Sequence, residues 1–159
     1  WREGVLITET HHGWICANAG VDRSNVAAPG RDVVLTLPEN PDRSAREIRT
    51  ALTDTTGVDV AVIISDTHGR AWRIGTANLA IGVAGMDPIL DVRGQKDRFG
   101  YTMRVTQIAR ADELAATAGL LSGQAGEGLP VVLIRGAGYT KADGRAVDMQ
   151  RPVEKDLFR

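Results

Sequence analysis

The sequence predicts a mixed domain of helices and strands, α/β or α+β, and three features carry that prediction. Val60–Ile64 runs without a polar interruption into Ser65, Asp66 and Thr67, as in a strand buried on both faces. Pro41-Asp-Arg-Ser-Ala-Arg-Glu47 has the pattern of a helix start. Eighteen glycines, many just after apolar runs, make the chain rich in turns.

At 159 residues the chain is one domain by length, with enough apolar sequence for a real core. Nineteen basic against twenty acidic residues leave a net charge of −1, which gives no sign of non-specific binding to nucleic acid or a membrane surface. Cys16 is the only cysteine, so no intrachain disulfide forms, which suits the cytoplasm. No apolar run approaches the ~18 residues of a membrane span, and no cationic leader precedes a short apolar core. The chain opens at Trp1 rather than Met, as a processed terminus or a piece of a longer polypeptide would.

Taken in order, Val5–Ile7 and Trp14–Ala17 are β-prone, with His11 and His12 in a turn between them. Adjacent histidines point to opposite faces of a strand, so the pair does not read as a shared metal site. Cys16, in an apolar run, reads as a buried small hydrophobe. Asn18–Asn25 is a loop, where Asp22 and Ser24 either bond nearby amides or hold a hard cation or nucleotide. Val33–Leu37 reads as a strand closed by Pro38. In the helix that follows, Ser44 and Glu47 form a capping box, and Ala45, Ile48, Ala51 and Leu52 form the apolar stripe. Arg46 and Arg49 fall on the solvated face. The helix ends near Thr56, with Gly57 as terminator.

Val60–Ile64 then delivers Asp66 and Thr67 to the end of a strand, where Gly69 allows a sharp turn. Arg70 and Arg73 follow, so an acidic group, a hydroxyl and two guanidiniums suit a metal and a phosphorylated ligand. Leu79–Val83 and Ile89–Val92 read as further strands, the second leading into a polar turn, Arg93–Asp97. Met103–Gln107 is either extended or a first helical turn. Ile108–Leu121 is helical, with Ile108, Ala111, Ala115, Ala118 and Leu121 or Leu114 on one side, its alanines implying close packing. Ser122–Gly128 is glycine-rich and exposes backbone amides suited to phosphate, although it has neither the sequence nor the strand-to-helix order of a P-loop. Val131–Ile134 reads as the last strand.

Together, Ala17–Val26, Leu37–Ala45, Val60–Gly75, Val105–Gly123, Pro130–Gly136 and Arg151–Arg159 resemble the coenzyme F420-0:L-glutamate ligase family in order and separation. The resemblance implies an α+β fold of mixed β-sheets with packed helices in two subdomains, residues 1–159 forming a single ligase domain. It implies a homodimer that uses GTP to join L-glutamate to coenzyme F420-0, or to F420-1 as the γ-linked tail grows. Two divalent cations, magnesium or manganese, accompany the nucleotide, with potassium a further candidate. By matching motif, Asp22 and Asp66 hold the first metal, and Thr67 and Gln124 the second. Asn25 and the loop Ser122, Gly123, Gln124, Ala125, Gly126, Glu127, Gly128 and Leu129 contact the nucleotide. His68 falls where relatives carry an apolar residue, which argues against it as a ligand. The family's N-terminal region, with a serine and a lysine at the nucleotide, and its last helix are not found here. Either that region lies outside this numbering, or the chain does not complete the GTP site.

The residue types support such chemistry. A carboxylate condenses with an amine only after activation, and phosphorylation by a γ-phosphate gives an acyl phosphate that the amine displaces. Phosphoryl transfer needs positioning and charge neutralisation rather than a protein nucleophile, which two metals about 3.5–4 Å apart supply. Arg70 and Arg73 are candidates to stabilise charge by gripping phosphate or the acidic substrate; the alternative is that Arg73 bonds loop carbonyls. A metal-dependent phosphohydrolase, or a truncated non-catalytic nucleotide-binding module, is the competing reading of the same residues.

Overall fold

The structure is a computed structural model that describes residues 4–26 and 30–156. Trp1, and the end of the matching segment Arg151–Arg159, lie outside the described residues. The fold is α+β, and the described residues form two α-helices, short 3₁₀ turns and three two-stranded antiparallel ladders. β1 (Ile7–Glu9) pairs with β2 (Ile15–Ala17) around the His11–His12 turn. Each histidine there reaches a backbone carbonyl through Nε2, His11 that of Glu39 and His12 that of Pro38.

A long hairpin is the centre of the fold: β3 (Val62–Arg70) runs antiparallel to β4 (Arg73–Ala84). The sequence expectation is corrected here in two respects. The strand does not end at Asp66 and Thr67 but continues through Gly69 to Arg70, and the turn falls at Ala71–Trp72. Nor is β3 buried on both faces, because Val62, Ile63 and Ile64 are half-buried and Ser65 is exposed. The buried strand segment is the C-terminal part of β4, where Ala80, Ile81, Val83 and Ala84 enter the core while Arg73–Thr76 stay exposed. Ile64 pairs with Gly82 and Ser65 with Ala80, so Ile81 is an extra residue that bulges β4.

Both helices are tied to β4 by a first-turn aspartate. α1 (Pro41–Thr56) is capped by Asn40, whose side chain accepts the Arg43 N–H at 2.9 Å, with Pro41 in the first turn. The expected Ser44–Glu47 box does not form, since Glu47 pairs with Arg43. Asp42 instead reaches inward, and its Oδ1 accepts Val83 N–H at 2.8 Å and Ala146 N–H at 2.9 Å. The helix start lies so close to β4 that a Cβ on Gly82 would stand 2.4 Å from the Pro41 carbonyl oxygen. The buried face is therefore Pro41 and Ala45, while Ile48 and Leu52 stay exposed. Arg49, expected in solvent, turns inward and donates to Val60 O at 3.0 Å beside its ion pair with Asp59. Gly57 ends the helix in the left-handed region, as its position predicts.

β5 (Ile89–Asp91) pairs with β6 (Gln107–Ala109), which leads directly into α2 (Arg110–Ser122). Ile108, expected in the helix, is thus a strand residue, whereas Ala111 and Ala115 are buried in α2 as expected. Asp112 Oδ1 accepts Ala80 N–H at 2.9 Å. The core gathers Val83 and Met86 with Ala80, Ala111, Ala115 and Ala146, whose small side chains bring helix and strand close together. Two expected strands are absent from the described ladders. Val33–Leu37 makes only an isolated bridge, Leu35 to Asp22. Val131–Ile134 alternates exposed and half-buried residues without a ladder, and Val132 and Ile134 line a cavity of about 190 Å³ with Ile63 and Tyr139. No helix among the described residues is long and apolar enough to cross a membrane.

Two outcomes follow for stability. Asp42→Ala strands two buried amides, at about 1–3 kcal/mol each, so its unfolding free energy should fall by about 2–6 kcal/mol. Asp42→Asn keeps the accepting oxygen and should recover most of this in urea unfolding. The second outcome concerns pH. Burial raises the Asp112 carboxyl above its ordinary range, against the lowering pull of the Ala80 amide and His68. The associated stabilisation is complete below the unfolded value, near pH 4, and is lost as pH rises through the folded value. The melting temperature of Asp112→Asn should therefore gain on the wild type as pH rises from about 4; a difference independent of pH would contradict this.

Candidate functional site

Successive β3 side chains point to opposite faces. Thr67 is registered against Asn78 on β4, and Gln124 reaches both from just beyond the C-terminus of α2. Thr67 Oγ1 lies 2.7 Å from Gln124 Oε1 and 3.1 Å from Asn78 Oδ1. Gln124 Nε2 donates to Asn78 Oδ1 at 2.7 Å. Three side-chain oxygens thus gather at the end of α2. Hydroxyl and amide oxygens are ligands that suit hard cations such as magnesium, manganese or calcium.

Asp66 occupies the other face of β3. Its Oδ2 is 3.7 Å from His68 Nδ1, a buried nitrogen that has no hydrogen-bond partner among the described residues. The nearby Cys16 thiol is pushed up by burial and then by the Asp66 charge. Cys16 itself is half-buried rather than fully enclosed. His68, with Trp14, Leu79, Gln150 and Arg151, lines a cleft of about 500 Å³.

Asp22 lies on its own loop after the short 3₁₀ turn Asn18–Gly20. Its carboxylate accepts Ser24 N–H at 2.8 Å and Ser24 Oγ–H at 2.7 Å, bonds that hold it below the usual carboxylate range. This is the local turn that the residue types allow. Asn25 is exposed and adopts a left-handed backbone, φ 54°.

Ser122–Leu129 leaves α2 at Gly123 and curls around the Glu127 carboxylate. Ala125 N–H donates to Glu127 Oε2 at 2.8 Å. The amides of Ala125, Glu127 and Gln124 together lower the Glu127 carboxyl. Gly126, Gly128 and Leu129 are exposed on the same loop. Arg70 and Arg73 are cross-strand partners at the hairpin tip, exposed to solvent. Three residues of strand separate Arg70 from Thr67, about 10 Å along β3.

The structure therefore joins Thr67 to Gln124, which lie far apart in sequence, and seats the glycine-rich loop beside them. Asp66 and Thr67 face opposite sides of one strand, so cations held by each would lie on either side of β3. Among the described residues no group of three or more His, Cys, Asp or Glu side chains converges as a metal site. Asn78 is the residue that sequence reading missed. Its signal was a lone amide in the otherwise apolar end of β4, Ala77-Asn-Leu-Ala-Ile81.

An α+β chain built on one long hairpin, with an oxygen cluster next to an amide-lined loop, is the class that the coordinates define. The family model described as F420-0:Gamma-glutamyl ligase matches residues 1–136, and the chain belongs to that family. The coenzyme F420:L-glutamate ligase of Methanothermobacter thermautotrophicus is 47% identical over 156 residues, covering 97% of this chain and 61% of the relative. That of Methanocaldococcus jannaschii is 47% identical over 157 residues, covering 99% and 61%. That of Methanopyrus kandleri is 51% identical over 158 residues, covering 97% and 62%. The chain thus spans about three fifths of the length of these relatives.

Proposed function

We propose that the protein carrying this chain is a GTP-dependent ligase that joins L-glutamate through an amide bond to coenzyme F420-0, working as a homodimer with two divalent cations. Further γ-linked glutamates extend the same chemistry. Family membership supports the substrates, since the matched relatives are named coenzyme F420:L-glutamate ligases. The observation that carries the reading is the side-by-side placement of two complementary features. Loop amides already close on the carboxylate of Glu127, and backbone amides that hold one anionic oxygen suit the oxygens of a phosphate. Directly adjacent, Thr67 and Gln124 offer oxygens to a cation.

In this scheme the coenzyme carboxylate takes the γ-phosphoryl group, GDP leaves, and the amine of glutamate attacks the acyl carbon. The C–N bond forms as the C–O bond to phosphate breaks, and the amine proton passes to the departing phosphate or to water. The Ser122–Leu129 amides orient the phosphates, and Asn25 contacts the nucleotide from its own loop. Thr67 and Gln124 hold one cation and Asp66 with Asp22 the other, magnesium or manganese, with potassium a further candidate. When bound at Thr67 and Gln124, on the loop's side of β3, a cation would neutralise charge on the transferring phosphoryl group. Arg70 and Arg73 grip phosphate or the acidic substrate from the hairpin tip.

Product analysis of the full polypeptide with GTP, manganese, F420-0 and labelled glutamate tests this. The expected result is a product heavier by one glutamyl unit and GDP formation that depends on glutamate. Glutamate-independent GTP hydrolysis would identify a phosphohydrolase instead, and nucleotide binding without turnover a non-catalytic module. Asp66→Asn should lose activity at ordinary magnesium while keeping its circular dichroism spectrum and melting temperature. Glu127→Gln removes the charge that competes for the loop amides, so calorimetry should show GTP binding tightened several-fold. Unchanged affinity with a lowered melting temperature would make Glu127 a structural staple of the loop.

A further inference from the structure

A carboxamide presents an oxygen at one corner and a nitrogen at the other, and rotation by half a turn exchanges them. Gln124 can serve a cation only if its oxygen faces the ligand side. What decides this is Asn78, only 9% exposed on β4. Its Oδ1 accepts Gln124 Nε2–H at 2.7 Å, which leaves Gln124 Oε1 turned to Thr67 Oγ1, also at 2.7 Å. With the Gln124 amide reversed, two carbonyl oxygens would confront each other.

Asn78 is itself held from behind. Gly119 of α2 packs against it so closely that a Cβ there would lie 2.9 Å from Asn78 Nδ2 and 3.1 Å from Cγ. The helix therefore confines the Asn78 side chain against β4, where its oxygen takes the Gln124 amide nitrogen. Thr67 adds a proton count. Its hydroxyl has one hydrogen but stands within bonding distance of two oxygens, Gln124 Oε1 and Asn78 Oδ1. One of the two contacts is unsatisfied by hydrogen at any moment, a surplus of lone pairs that suits a cation. The spacing suits one as well. Cis ligands at 2.0–2.1 Å from an octahedral ion stand about 3 Å apart, close to the 2.7 Å between Thr67 Oγ1 and Gln124 Oε1.

We propose that Asn78, backed by Gly119, is the positioning residue that presents Thr67 Oγ1 and Gln124 Oε1 as a matched pair of oxygen ligands for a hard divalent cation. The inference rests on the cation reading of Thr67 and Gln124 given above. Partners that orient metal ligands change affinity by about 10–100-fold when removed.

The test is manganese binding to the purified protein, followed by the electron paramagnetic resonance signal of the free ion, with circular dichroism to verify folding. Asn78→Ala should weaken the Thr67–Gln124 site by about tenfold or more, and Asn78→Asp, which retains the accepting oxygen, should restore binding. Gly119→Ala alters no oxygen but displaces the Asn78 amide, and should also weaken binding; it decides the matter if Asn78→Ala does not fold. Folded Asn78→Ala or Gly119→Ala protein with wild-type affinity would overturn the proposal. Thr67→Val and Gln124→Ala separate the two levels. If these abolish binding while the Asn78 and Gly119 variants do not, only the positioning role fails. If none of the four variants alters binding, the cation site itself is misplaced and the proposal fails with it.

Discussion

Two carboxylates bonded to the backbone of one strand organise this molecule. Asp42 and Asp112, in the first turns of α1 and α2, accept amides of β4 at Val83 and Ala80. Among the described residues no third strand joins this hairpin, so amides not met by β3 need partners from elsewhere. Residues three apart direct their amides to opposite edges of a regular strand, and the extra residue Ile81 between them shifts that alternation. Without these bonds β4 would be a poorly satisfied strand inside an alanine-rich core; with them both helices are set against it at fixed height.

The height of α2 in turn locates the candidate site. Once Asp112 anchors the first turn to Ala80, the last turns of α2 run back along β4 and set Gly119 against Asn78. Gln124 leaves the helix just beyond and falls onto Thr67. Local packing thereby becomes chemical geometry: a helix residue with no side chain permits an amide, and that amide orients another. On the far face of β3, Asp66 and His68 sit in a different environment, beside Cys16 and a cleft.

Much of this was legible in the residues, and the parts that were not have physical reasons. Helix α1 and its Gly57 terminus were readable because a proline, an amphipathic pattern and a glycine are local signals. Its cap is less legible, because Asn40, one residue before Pro41, competes with Ser44 for the same role. The apolar run Val60–Ile64 marks a strand whose paired part starts at Val62, but not its partner or length, since register depends on residues across the hairpin. Val131–Ile134 has the alternation of a strand and no ladder, so pattern alone overstated it. Thr67 and Gln124 stand out only through family resemblance, whereas their contact, and the part of Asn78 in it, exist only in the tertiary fold.

Side-chain amide resonances of Gln124 and Asn78 in a manganese titration followed by nuclear magnetic resonance probe the oxygen cluster most directly. Paramagnetic broadening should appear first at the Gln124 side-chain amide, then at that of Asn78, at substoichiometric metal. Broadening that begins at other residues and reaches Gln124 only at excess metal would mean that the cluster is a structural junction and not a seat for a cation.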